Sequence, residues 1–256
     1  LTSALAVAAC SADEFGTADA SPSTDSGSDV PADRSVQDAA PPSPCASPHL
    51  FCDDFDGPEV FPKGKWDSAT ITSGAALLGP ALRSAPNAAV LSTDPSDASN
   101  QYAGPSLTKT VPAQGSLHCH FVVRAGSAWG SSPHYLFALS AIPGPNASFK
   151  GWFAGVIHDE SNATTTLQDV LTPAAGADQI ANLSNNGAFA ATTHEIEVRV
   201  SVKDQQASLT IDGKTSTGPT KFPPQAATDS ILLLHSTAGV PAETSVSYDD
   251  VWCDGP

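Results

Sequence analysis

The sequence predicts an all-β protein: a two-sheet antiparallel jelly-roll sandwich preceded by a disordered tether. Three observations predict it. First, in Thr192–Lys214 the apolar Ile196, Val198, Val200 and Val202 alternate with Glu195, Glu197, Arg199 and Ser201. Period-two alternation belongs to a pleated strand with one buried face. Lys203-Asp204-Gln205-Gln206 interrupts the pattern, which resumes with Ala207, Leu209 and Ile211 and stops at the turn dipeptide Asp212-Gly213, so the stretch reads as a hairpin. Second, about a dozen short strand-like runs are separated by Gly, Pro, Asn and Ser turns, with no helical periodicity lasting three turns. Third, the folded part, roughly 200 residues, exceeds an immunoglobulin-like sandwich of ~100, and no fixed-period repeat points to a propeller.

Residues 1–10, LTSALAVAAC, read as the remnant of a signal peptide. They show an apolar core and a small-residue cleavage site. A basic leader and a Met are missing, so the true start is expected upstream. Val7-Ala8-Ala9-Cys10 resembles the lipobox of bacterial lipoproteins. The resemblance implies that Cys10 becomes the lipid-bearing N-terminus and tethers the chain to a membrane without spanning it. The implied location is the bacterial cell envelope, at the outer membrane or cell surface, with secretion as the alternative. Residues 11–44 are rich in Ser, Asp, Ala and Pro, with Arg34 the one basic residue and Phe15 the one aromatic. Such a segment buries too little apolar surface to offset its ordering entropy and reads as a disordered linker.

The folded domain is expected over residues 45–256. Leu50–Gly57 reads as a short strand ending in a turn. Strands are predicted at Asp67–Thr72, Ala88–Ser92 and Ser106–Val111, with Pro80, Pro86 and Pro95 arguing against long helices. Ser116–Arg124 puts Leu117, Cys119, Phe121 and Val123 on one face and His118 and His120 on the other. Further strands are predicted at Tyr135–Ile142, Phe149–Asp159, Ala163–Leu171 and Gln179–Leu183, followed by a turn at Asn185-Asn186-Gly187. Ser230–Ser236 reads as a strand buried on both faces or nearly so, and Ser245–Asp254 as the last strand.

Composition excludes some partners. The 256 residues carry 11 Lys+Arg against 27 Asp+Glu, a formal charge of −16. That balance leaves no basic footprint for nucleic acid. With no apolar run of about 18 residues, contact with a membrane is expected only through the lipid anchor. Cys10 aside, four cysteines remain, and an exported domain uses an even count for disulfides. Cys119 lies on the apolar face of its strand, and Cys253, two residues after Val251, is placed on a matching face. This favours Cys119–Cys253 with the local pair Cys45–Cys52. A zinc site is disfavoured because no Cys-x-x-Cys occurs.

Three segments, taken in order, carry a family resemblance: Phe51–Gly57; His194–Val200 with Leu209–Lys214; and Tyr248-Asp249-Asp250-Val251-Trp252. Together they resemble the concanavalin A-like lectin/glucanase family, including its laminin-G-like and glucanase-like jelly rolls. The resemblance covers residues 45–256. The first and last strands are near neighbours in that family, which makes Cys52–Cys253 a rival disulfide. The resemblance also implies a structural calcium held by Asp56, Gly57, Asp249 and Asp250, whose oxygens are hard ligands; strand-end capping by the aspartates is the plainer reading.

The carboxylate spacing of catalytic glucanases, Glu-x-Asp-x-x-Glu or Glu-x-Asp-x-Glu on one strand, is not found. Glu195 and Glu197 share a strand face but read as solvated, and His118 and His120 read as outward polar residues before they read as a metal pair. For sugar binding, Trp129, Tyr135 and Trp152 are the candidate stacking rings, and His134, His158 and Gln168 the candidate hydrogen-bonding groups. Core packing competes for each ring. The expectation is therefore a non-catalytic binding module for a carbohydrate or an exported protein. A polysaccharide hydrolase or lyase with an unrecognised site, and a structural envelope lipoprotein, are the alternatives.

Overall fold

A computed structural model describes residues 42–94, 104–126, 133–187, 189, 191–222, 227–238 and 244–256. Cys10 and Trp129 lie outside the described residues. Fifteen strands follow one another: β1 (Phe51–Asp53), β2 (Ser68–Thr70), β3 (Ala75–Pro80), β4 (Asn87–Ser92), β5 (Ser106–Pro112), β6 (Ser116–Ala125), β7 (His134–Pro143), β8 (Phe149–Asp159), β9 (Thr164–Pro173), β10 (Gln179–Asn186), β11 (Thr193–Ser201), β12 (Gln206–Ile211), β13 (Lys214–Pro219), β14 (Ala227–Ala238) and β15 (Ser245–Asp254). They form two antiparallel sheets. The first runs β13-β12-β11-β6-β15-β4-β3, with β1 also on β15; the second runs β10-β9-β8-β7-β14-β5-β2. The architecture is the two-sheet jelly-roll sandwich that the strand spacing predicts.

The β11–β12 hairpin shows how the pattern becomes a core. Ile196, Val198, Val200, Ala207 and Leu209 are buried and face the second sheet. Across the layers, the Phe121 ring on β6 stacks on Phe137 of β7 at 5.0 Å. The Tyr248 hydroxyl on β15 donates to the Leu136 carbonyl at 2.6 Å and ties the two sheets together. On β14, Leu232 and Leu234 are buried whereas Ile231 and Leu233 are half-buried, so this strand is fully covered on one face only.

Turn chemistry fixes the registers. Ile211 pairs with Lys214, leaving Asp212 and Gly213 as a two-residue loop with φ of 49° and 78°. Positive φ at both positions matches the twist of a tight hairpin, and Asp-Gly suits it. The glycine-free turn between β11 and β12 places Gln205 at φ 49° instead, with Asp204 bonded to the Ser201 hydroxyl.

Two edge strands, β3 and β13, carry no readable alternation in sequence, whereas the edges β2 and β10 of the other sheet do. An edge needs pairing on one side only and tolerates polar residues and proline. Asn185 and Asn186 continue β10 opposite Thr165 and Thr164 rather than turning. Cys119 faces Cys253 across β6 and β15, and the disulfides are Cys119–Cys253 and Cys45–Cys52. β1 does lie beside β15, but its register pairs Phe51 with Cys253 and Cys52 with Trp252. Alternation then turns Cys52 away from Cys253, which rules out the rival pairing.

Candidate functional site

The outward face of β7–β10 gathers the residues best placed to meet a ligand. Inward positions on β8 are taken by Trp152, Ala154, Val156 and His158, all buried. Alternation therefore sends Phe153, Gly155 and Ile157 outward. On β7, Tyr135 lies opposite Ile157 and shares their face. The Tyr135 and Phe153 rings meet edge-on, with centroids 6.1 Å apart and planes at 61°. Gly155 makes room for both, since a Cβ there would stand 2.5 Å from Phe153 Cζ and 3.5 Å from Tyr135 Cδ1.

Registers extend this face sideways. Gly155 lies opposite Gln168 and Gln168 opposite Asn182, forming one row of small and amide groups. In the next rows Thr166 and Ser184 join hydroxyls at 3.1 Å, and Val170 lies opposite Ile180, which is 56% exposed. Four strands at about 4.8 Å spacing make the platform roughly 14 Å across. It is shallow, aromatic at one side and rich in amides and hydroxyls at the other, and none of these side chains is charged.

Of the sequence-predicted ligand residues, Tyr135 and Gln168 reach this face. Trp152 does not. It packs on Phe222 at 4.4 Å and donates its indole N–H to Asp169 at 2.7 Å inside the core. His158 is fully buried, with Nε2 2.7 Å from Glu160 and Nδ1 2.9 Å from Thr165. His134 is its register partner on β7 and is 1% exposed. Phe153, Asn182 and Gly155 were not singled out by sequence. Both alternating sets of β8 are apolar or aromatic, so its pattern alone does not say which set faces out. Gly155→Ala is expected to displace the Phe153 ring and so disturb the platform, while costing about 1 kcal/mol or less in stability. A binding assay beside a denaturant melt checks this; a large stability loss would mean that the residue is structural.

The opposite outer face, on β6, β11 and β15, holds the acid pair. Glu195 bonds His120 at 2.8 Å and Arg83 at 3.0 Å. Glu197 bonds His118 at 3.0 Å and Arg199 at 3.0 Å. Between the dyads, Trp252 stacks on His120 at 5.1 Å and on His49 at 5.0 Å, with His118 edge-on at 4.8 Å. His120 is thus 4% exposed, buried by Trp252 rather than solvated. Burial pushes both glutamates up, but the hydrogen bonds from His120 and Arg83, and from His118 and Arg199, outweigh it and hold both below the ordinary carboxylate value. Each carboxylate is committed to a histidine and an arginine of its own dyad.

Two histidines make stability pH-dependent. Burial holds His158 and His118 below the ordinary imidazole value of 6.5, against the pull of Glu160 and Glu197. The unfolded chain then binds protons that the folded chain resists, so stability falls as pH drops below that value. Glu195 and Glu197 add losses at lower pH, as it passes through their depressed values. Asp53 and Asp250 work the other way. Burial raises both, and their protonation relieves a cost as pH falls through the raised values. Thermal melts are expected to show Tm falling from pH 7 to pH 5, with a shallower fall in His158→Gln. An unchanged slope in that variant would remove His158 from the account.

The aspartates of the expected calcium set have other work. Asp249 Oδ2 accepts from the backbone N–H groups of Leu82, Arg83 and Ser84 at 2.9, 2.9 and 3.2 Å. Its Oδ1 accepts from the Ser84 hydroxyl and the Asp250 N–H. Asp250 sits at φ 49° in a bulge of β15 and accepts from Ser84 as well, and Asp56 accepts from the Asn87 N–H. Gly57 lies just after β1, in the same turn as Asp56. Among the described residues no group of three His, Cys, Asp or Glu side chains is arranged to hold a metal ion. The Asp249 carboxylate is thus taken up by backbone and hydroxyl donors, so in this arrangement it acts as a clamp on the loop and not as a calcium ligand. Adding calcium or EDTA is expected to leave Tm unchanged; a rise of several degrees with calcium would show that the aspartates rearrange into ligands.

Comparison with known proteins supports the fold. No protein-family model matches the chain, and no curated protein matches its sequence. Among solved structures, the chain is similar to the κ-carrageenase from Pseudoalteromonas carrageenovora in complex with a κ-carrageenan oligosaccharide. The TM-score is 0.56 at 11% identity, over 80% of this chain and 92% of that one. It is similar to a Bacteroides ovatus GH16 protein of a mixed-linkage glucan locus, in complex with product, with TM-score 0.56 at 11% identity over 80% and 99%. A chain described with endo-acting O-glycanases of the human gut microbiota gives TM-score 0.54 at 13% identity over 84% and 94%. At these identities the likeness is one of fold.

Proposed function

We propose that this protein is an exported, envelope-tethered, non-catalytic glycan-binding module that holds its ligand on the outer face of β7–β10. The carrying observation is the Tyr135–Phe153 ring pair laid over Gly155 beside the Gln168–Asn182 amide row. Rings of this kind cover the apolar face of a sugar, and neutral amides orient its hydroxyls. The structural neighbours are named for carrageenan, mixed-linkage glucan and O-glycans, which supports a carbohydrate ligand on this scaffold. A fold does not carry a function with it, so the site must bear the argument. Here the outward positions of β7 and β8 offer no pair of carboxylates, and the neighbouring outward glutamates of β11 are each tied to a histidine and an arginine.

The test is a glycan array together with a polysaccharide-degradation screen on the whole chain. Retention on at least one glycan, without release of reducing or unsaturated ends, is the expected result. Release of either from any substrate would replace the binding reading with an enzymatic one. Tethering through Cys10 is part of the proposal, and palmitate labelling that survives Cys10→Ala would remove it.

A further inference from the structure

We infer that the glycan taken by the β7–β10 face is uncharged, neither sulfated nor uronate-bearing. The inference rests on the binding reading above and adds the ligand's chemical class. A sulfate or carboxylate is recognised in a dry or semi-dry site by Arg or Lys, most specifically by the planar guanidinium fork. Among the described residues, no such group stands on the outward positions that surround the Tyr135–Phe153 pair. The nearest charges along β8 are Lys150 and Asp159, at the strand's two ends. The polar groups present, Gln168, Asn182, Thr166 and Ser184, each both donate and accept hydrogen bonds, as sugar hydroxyls do.

Four of the protein's 11 Lys and Arg are held by carboxylates elsewhere. Arg83 is held by Glu195, Arg199 by Glu197, Lys109 by Asp67, and Lys65 lies between Asp53 and Asp54. Freeing one to meet a polyanion would leave its carboxylate partner uncompensated. The long-range field points the same way. With 27 acidic against 11 basic residues, the chain repels a sulfated or uronate polymer before contact, most strongly at low salt. A neutral glycan pays no such penalty, and its binding, carried by ring stacking and neutral hydrogen bonds, is insensitive to salt.

The experiment compares retention of the full chain in gels containing a neutral β-glucan, a neutral galactan, alginate or κ-carrageenan, at about 50 and 500 mM NaCl. The inference expects binding to a neutral polymer, with a dissociation constant changed less than about 2-fold by salt. Tyr135→Ala and Gln168→Ala are each expected to weaken it, the former by at least about 10-fold, and Lys150→Ala to leave it unchanged. Circular dichroism of each variant confirms that the sandwich has formed. Binding of alginate or κ-carrageenan that Tyr135→Ala abolishes would overturn the uncharged class and leave the binding reading standing. Neutral binding unaffected by Tyr135→Ala and Gln168→Ala would overturn the inference by placing the ligand on another face. Absence of binding to all neutral and charged glycans would overturn the binding reading itself.

Discussion

Removing the Cys119–Cys253 disulfide, as Cys119→Ala with Cys253→Ala, is expected to lower the stability of the folded domain by about 5 kcal/mol. The bond closes a segment of sequence separation 134, whereas Cys45–Cys52 spans only 7. A crosslink stabilises by removing conformations from the unfolded chain, and that entropy grows with the logarithm of the loop. On the same argument the short loop contributes about 2–3 kcal/mol. Both long-loop cysteines are fully buried, so truncation to alanine adds a packing loss and no orphaned polar group. Guanidinium melts of the two double variants give the ranking. Equal losses, or a greater loss from Cys45→Ala with Cys52→Ala, would mean that local strain or residual unfolded structure dominates over loop closure.

Asp249→Ala is expected to cost about 3–5 kcal/mol, roughly 10 °C or more in Tm. The residue is fully buried and closes the loop before β4 onto β15 through three backbone N–H groups and the Ser84 hydroxyl. Alanine leaves these donors inside the protein with no acceptor, and an unmade buried hydrogen bond costs more than a made one contributes. Asp249→Asn keeps the shape but turns one acceptor into a donor facing other donors, so it is expected to recover little. A Tm within 2–3 °C of the parent for either variant would show that water enters and satisfies the loop. The outcome also separates the clamp role from the metal role, because a calcium ligand would lose calcium-dependent stability rather than stability itself.

Much of the scaffold is legible in local chemistry. The Thr192–Lys214 alternation, the Asp212-Gly213 turn and the SLHCHFVVR strand each declare their geometry within a few residues, because the pleat repeats every two residues and a tight hairpin demands positive φ. The Cys119–Cys253 disulfide follows from the same alternation, and Cys45–Cys52 is the local pair that it leaves. The edge strands Ala75–Pro80 and Lys214–Pro219 escape, since the proline, glycine and polar residues that an edge tolerates leave no alternation to read, although the edge strand Gln179–Asn186 is legible in part. The aspartates near Ser84 look like metal ligands in sequence because a carboxylate's type is visible there and its hydrogen-bond partners, more than 160 positions away, are not.

The candidate site divides along the same line. Sequence by itself determined that this chain is all-β, strongly acidic, poor in cations and supplied with aromatic residues along Tyr135–Leu171. Tertiary structure decided which of those aromatics meet solvent. Trp152 and Phe153 are adjacent, so alternation must send them to opposite faces, but each face of β8 is apolar enough to be the buried one. Only the first sheet, laid against Trp152, Ala154 and Val156, and the carboxylate of Asp169 waiting for the indole N–H, settled that Trp152 goes in and Phe153 comes out.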